Sequence, residues 1–263
     1  MTHALRHASR EAYSKPSRLR RAVLAGIAAI ALVFPALALA KDIQVAVAAN
    51  FTEPAKDIAQ AFEKKTGTHV IMTFGASGAF YSQIQQGAPF DVMLSADAER
   101  PFKLEDSGLG IKGTRFTYAY GKLVLWSANP ALIDPAGKVL AQGNFQHLAI
   151  ADPVSAPYGA AAVDYLRKRG LYDVLAPKIV KGASIAQAFS FIDTGSAEMG
   201  FVALSQIHKS HKGSRWVVPI RDYPAIEQQA ILLHENPDAR AYLAFLKSPA
   251  GLNIIKSYGY DVK

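Results

Sequence analysis

The sequence predicts an α/β protein of two lobes. Three observations carry that prediction. Strand-like and helix-like patterns alternate along the chain, the alternation falls into two sets, and four strand-to-helix junctions consist mostly of small, uncharged residues. A strand–helix–strand order needs crossover connections, so each set predicts a mainly parallel sheet flanked by helices.

The N-terminus stands apart from both sets. Residues 1–21 carry Arg6, Arg10, Lys15, Arg18, Arg20 and Arg21 against one acid, Glu11. An apolar run from Ala22 to Ala40 follows and ends in Ala38-Leu39-Ala40. A basic stretch, an apolar stretch and a small-residue end describe an export signal, with cleavage expected near Ala40. Setting aside its six bases and one acid takes the formal charge from +8 to +3. The basic character is therefore largely a property of the signal, and no nucleic-acid partner is expected.

In the first set, Ile43, Val45 and Val47 alternate as a strand, Ala55 to Phe62 reads as a helix, and Gly67 stops it. Val70, Met72 and Phe74 make the next strand, Ser77 to Gln86 a helix, and Phe90 to Leu94 a short buried strand. One long strand is expected over Phe116 to Ser127. The second set has a strand over His147–Ala151, helices over Gly159–Arg169 and Ser184–Thr194, and a strand over Met199–Val202. The tail adds a strand, Ala230–Leu233, and helices over Pro237–Lys247 and Pro249–Tyr258. The expected organisation is a signal over 1–40, a first lobe of 41–120 plus 229–263, and a second lobe of 121–228. Two crossing segments near Tyr118–Val124 and Ile220–Gln228 join the lobes.

The four junctions carry the chemistry. They are Ala48-Ala49-Asn50-Phe51-Thr52, Phe74-Gly75-Ala76-Ser77-Gly78, Asp152 to Gly159, and Gly182-Ala183-Ser184-Ile185. A helix start leaves backbone N–H groups without intrahelical acceptors and carries the positive end of a dipole. Several such starts facing one point can hold an anion without a lysine or arginine. Each residue also has a plainer reading. Asn50, with Glu53 three positions on, has the spacing of a capping box. Ser77 can cap its helix while its hydroxyl still donates to an oxyanion. Tyr158 can pack over a turn or close a pocket with its N–H, ring or phenol. Ile185 can offer only its backbone N–H.

Other chemistry thins out. The chain has no cysteine, which excludes thiol catalysis, zinc–thiolate sites and disulfides. A serine-hydrolase elbow around Ser77 fails because Ala79 stands at the second glycine position. His208 and His211 have no acid nearby, and a solvated helix end suits them better than a metal site. Asp91 and Asp97 flank a buried strand and suit capping or surface roles.

The ordered motifs together resemble one family. To the junctions are added Gly87 to Asp97, Leu148-Ala149-Ile150-Ala151-Asp152-Pro153, Pro157-Tyr158-Gly159, Met199-Gly200-Phe201-Val202 and Tyr258-Gly259-Tyr260. Over essentially its whole mature length the chain resembles the periplasmic molybdate-binding proteins of ABC transporters. The resemblance implies a type-II periplasmic binding fold closing on a tetrahedral dianion. It implies contacts from Asn50, Ser77, Tyr158 and Ile185, with Ala49 adding a backbone donor, all to oxygen and none to the metal atom. It also implies a periplasmic monomer with no catalytic residue and no cofactor. The ligand would be molybdate, with tungstate beside it, and the partner an inner-membrane ABC permease. Sulfate or phosphate remains the alternative ligand, and a hydrolase using Ser77 the alternative class. One branch of the family bears a tyrosine where this chain has Ala203. Tyr158 here implies that the aromatic wall has moved to another loop.

Overall fold

The computed structural model describes residues 42–262, so the expected export signal lies outside the described residues. The first sheet begins with β1 (Ile43–Ala48), whose residues are nearly all buried. A 3-10 turn (Ala49–Phe51) leads into α1 (Thr52–Thr66). That helix buries Ala55, Ile58, Ala59 and Phe62, the spacing of one helical face. β2 (Val70–Gly75), α2 (Ser77–Gln85), β3 (Val92–Ser95) and α3 (Glu99–Asp106) follow. β4 (Phe116–Gly121) ends this stretch.

The chain then enters the second sheet through β5 (Leu123–Ser127) and a short α4 (Val139–Gln142). β6 (Leu148–Ala151), α5 (Pro157–Lys168), α6 (Tyr172–Leu175), β7 (Ile179–Gly182) and α7 (Ile185–Asp193) repeat the strand–helix alternation. β8 (Met199–Ala203), α8 (Leu204–Ile207) and β9 (Ser214–Val217) complete it. β10 (Ile226–Leu232) returns to the first sheet, and α9 (Pro237–Leu246) and α10 (Pro249–Ser257) pack beside it.

The strand orders are β2-β1-β3-β10-β4 and β7-β6-β8-β5-β9. β1 pairs parallel with β2 and β3, and β6 with β7 and β8. β10 runs antiparallel to both its neighbours, as does β5. Each sheet is therefore parallel but for one strand, and that strand is the one laid down just after the chain changes sheet. Both faces of the first sheet are packed, one by Phe62, Tyr242 and Phe245, the other by Phe80, Phe90 and Leu104. Both faces of the second sheet are packed likewise, one around Leu140, Tyr165 and Leu166, the other around Trp126, Ile192 and Ile207.

Two expectations change. The long strand over 116–127 is two strands in two sheets, broken at Lys122. At the end of β4 the chain passes close to the second sheet's side, and a Cβ on Gly121 would lie 2.1 Å from the Tyr158 hydroxyl. Ile226, Glu227 and Gln228, expected in the 121–228 lobe, already belong to β10 of the first sheet, where they pair with Gly121, Tyr120 and Ala119.

Candidate functional site

Ligand sites in open α/β sheets form beyond the carboxyl ends of parallel strands. The ends of β1, β2, β6 and β7 all give onto helix starts, and four of these meet. Ala49, Asn50, Ser77, Tyr158 and Ile185 line one tight cavity of about 10 Å³, together with Ala48, Gly75, Ala76, Ala96, Ala156 and Pro157. No charged residue is in that lining. The small apolar residues around it belong to one buried cluster that continues from the first sheet to the second.

The caps at these starts are unusual. Ala48 precedes the 3-10 turn, Ala76 precedes α2, and Ala156 precedes α5. None makes a side-chain capping bond. Alanine is among the poorest N-cap residues. By contrast α9 and α10 are capped by Asn236 and Ser248. Ser184 caps α7 by accepting from Gln187 N–H, which leaves the Ile185 N–H outside that bond. Asn50, Ser77, Tyr158 and Ile185 are all buried, so bulk water is a poor substitute acceptor. Buried N–H groups left unpaired cost about 1–3 kcal/mol each. Such a cluster calls for an anion.

Ser77 is not a cap. Its hydroxyl accepts from the Ala96 N–H at 2.9 Å, and Ala76 holds the cap position. A hydroxyl that accepts from the protein keeps its own hydrogen to donate. Among the described residues that is the one hydrogen bond of the Ser77 side chain, and no imidazole or carboxylate accepts from it.

The capping box around Asn50 does not form. Glu53 pairs with Lys56 at 2.7 Å instead. The Asn50 amide donates to Gln228 Oε1 at 2.8 Å and to the Tyr260 hydroxyl at 2.9 Å. Both amide hydrogens are thus committed within the protein, which leaves the residue's backbone N–H as its one other donor. Tyr158 sits in the first turn of α5, and its hydroxyl accepts from Gln228 Nε2 at 3.2 Å.

Sequence reasoning missed the polar network behind the cavity. Tyr118 donates to Gln228 Oε1 and to the Ser95 carbonyl, both at 3.1 Å. Ser205 and Tyr260 both donate to the Asn50 carbonyl, at 2.7 and 2.8 Å. Burial pushes the Tyr118 and Tyr158 phenols well above the usual range and Tyr260 up to about 12, so all three stay neutral donors. The legible signal was Gln228 itself, a polar residue at the strand parity of Ile226, Ala230 and Leu232.

The sheets also meet at the rim. Gly78 N–H donates to the Ser155 carbonyl at 2.8 Å, and Arg100 Nη2 to the Val154 carbonyl at 2.8 Å. Arg100 is held by Asp97. Asp91 accepts from Gln44 N–H and Asn236, so neither acid stands free. Among the described residues no cluster of histidines and acids suits a metal ion.

A family model described as bacterial extracellular solute-binding protein matches residues 43–261. The chain belongs to that family. Its similarity narrows further. It is 53% identical over 253 residues to the molybdate-binding protein ModA of Azotobacter vinelandii, covering 94% of this chain and 98% of that one. It is 52% identical over 248 residues to ModA of Rhodobacter capsulatus, covering 93% and 97%. The solved structure of the Azotobacter vinelandii periplasmic molybdate-binding protein matches with a TM-score of 0.82 at 41% identity, covering 84% of this chain and 99% of that one. The sulfate-binding protein SubI of Mycobacterium tuberculosis, with a TM-score of 0.71 at 14% identity and covering 84% and 86%, shares the fold alone.

Proposed function

We propose that the chain captures molybdate in the periplasm and delivers it to an inner-membrane ABC transporter. The observation that carries this reading is the meeting of four buried helix starts, three of them without side-chain caps, around one uncharged cavity. Its kinship with ModA proteins supports the choice of anion. The donors are the N–H groups of Asn50, Ser77, Tyr158 and Ile185, with Ala49 beside them, and the Ser77 hydroxyl. Aligned dipoles replace the hydration of the dianion, and hydrogen bonds to a charged acceptor are about twice as strong as neutral ones. Tyr158 acts through its N–H and its ring, since its phenol is held in the polar network of Gln228 and Tyr260.

Sulfate carries the same charge and shape, so selection rests on size. A cavity set for the larger anion leaves donors too far from sulfate oxygens, and unmade bonds in a dry site are costly. Tungstate, of matching size and charge, binds as molybdate does. The protein acts as a monomer and binds without chemical turnover.

Calorimetric titration with molybdate, tungstate, sulfate and phosphate tests this. The first two should bind tightly and the last two weakly. Because the anion is buried away from mobile ions, added chloride should leave the affinity nearly unchanged. Preference for sulfate, or a steep loss with chloride, would sink the reading.

A further inference from the structure

We propose that Gln228 is a positioning residue of the anion site, whose side-chain amide ties Asn50 to Tyr158 across the lobes and so sets the separation on which size selection depends. The inference rests on the oxyanion reading above. Gln228 is fully buried and lies outside the cavity lining, so it acts through other residues. Its Oε1 accepts from Asn50 and Tyr118, both on the first sheet's side, at 2.8 and 3.1 Å. Its Nε2 donates to Tyr158, at the start of a second-sheet helix, at 3.2 Å. Asn50 and Tyr158 both line the cavity, the first from the turn after β1 and the second from the start of α5. One amide therefore spans the two halves of the donor set.

Three further features single out this residue. It stands on β10 where the register with β4 shifts, its partner being Ala119 while the next residue pairs with Thr117, so Tyr118 is passed over. Gly121, which pairs with Ile226 two residues before, leaves the room the relay needs, since a Cβ there would lie 2.1 Å from the Tyr158 hydroxyl and 2.7 Å from Gln228 Nε2. No group in the relay is formally charged, so it fixes geometry without competing with the dianion. A rigid, fully satisfied polar network suits that task, because its partners cannot drift inward to meet a smaller anion.

The test is calorimetry of the protein, Gln228→Met, Tyr158→Phe and the double variant with sodium molybdate, and with sodium sulfate by displacement. Gln228→Met keeps the side-chain length and removes both polar ends. It should weaken molybdate by about tenfold or more, the scale of one charge-assisted bond put out of line, while sulfate changes less and the selectivity ratio narrows. Tyr158→Phe should shift the ratio the same way. The double variant should be no weaker than the weaker single, because both break one relay. The inference is overturned if Gln228→Met lowers only the melting temperature, if both anions weaken equally, or if the two substitutions add. Should Gln228→Met show no cooperative melt, Tyr158→Phe decides alone, since it leaves the bonds to Asn50 and Tyr118 in place. There a narrowed ratio supports the inference and an unchanged ratio overturns it. Failure of the unsubstituted protein to bind either anion would instead remove the oxyanion reading itself.

Discussion

At the scale of single residues, Ser77 carries the sharpest expectation. Its hydroxyl accepts from Ala96 N–H and keeps a hydrogen that the proposed site gives to the anion. Ser77→Ala therefore removes two things at once. Losing a bond to a charged acceptor costs about 1.5–3 kcal/mol, or roughly ten- to over a hundredfold in affinity. Stranding the Ala96 N–H costs a further ~1–3 kcal/mol of stability, which appears without ligand. Calorimetry and ligand-free urea unfolding read the two losses separately. Unchanged affinity would remove Ser77 from the site. Ser77, Tyr158 and Ile185 were legible because a strand end, a small-residue turn and a helix start lie within a few positions of one another. The role of the Asn50 side chain was not legible. Its partners Gln228 and Tyr260 lie 178 and 210 positions away, and no local pattern encodes such a meeting.

At the scale of elements, the helix starts with alanine caps set ligand affinity against ligand-free stability. Ala76→Ser should let a side-chain oxygen accept from the first turn of α2. The ligand-free protein should gain about 0.5–2 kcal/mol, the ordinary worth of a cap. Molybdate affinity should fall, because the same N–H groups are then occupied. Thermal melting without ligand beside calorimetric affinity checks both signs, and a gain in both would show that those groups do not serve the anion. Long periodic elements such as α1 and α9 were readable because their buried faces repeat at helical spacing. α3, β7 and β9 were not. They are short, and charged residues such as Glu99, Lys181 and Arg215 blur their periods. The break between β4 and β5 was hidden because strand-forming residues continue on both sides of Lys122, and the change of sheet leaves no local mark.

At the scale of the whole molecule, the lobes meet where Gly78 N–H donates to Ser155. A Cβ on Gly78 would lie 2.9 Å from Ser155 Cα and 3.0 Å from its carbonyl oxygen. Gly78→Ala should push the lobes apart and weaken anion binding by about fivefold, the worth of one ordinary hydrogen bond. Melting without ligand should fall slightly, since the lost contact with Ser155 outweighs the helical preference for alanine over glycine of about 0.5–1 kcal/mol. Small-angle scattering with and without molybdate would register the incomplete closure, and full compaction would refute it. Alkaline pH should act in one direction. Burial raises Tyr118, Tyr158 and Tyr260 above the usual phenol value of 10.0, so the folded state holds protons that the unfolded chain releases. Their contribution is whole below that value and is lost as pH rises from 10.0 toward about 12 for Tyr260. Melting temperature and tyrosinate absorbance followed together should show the last part of the tyrosine ionisation appearing only as the protein unfolds. The reversed strand in each sheet has a consequence for assembly in time. All strands of the second sheet lie within residues 123–217, so it is complete once that stretch has emerged. The first sheet has its gap between β3 and β4, which β10 fills only after the second sheet has been made. Until then β3 and β4 present unpaired edges, the kind on which chains stick to one another. The slow closure of that long loop makes the first lobe the late and vulnerable half of folding.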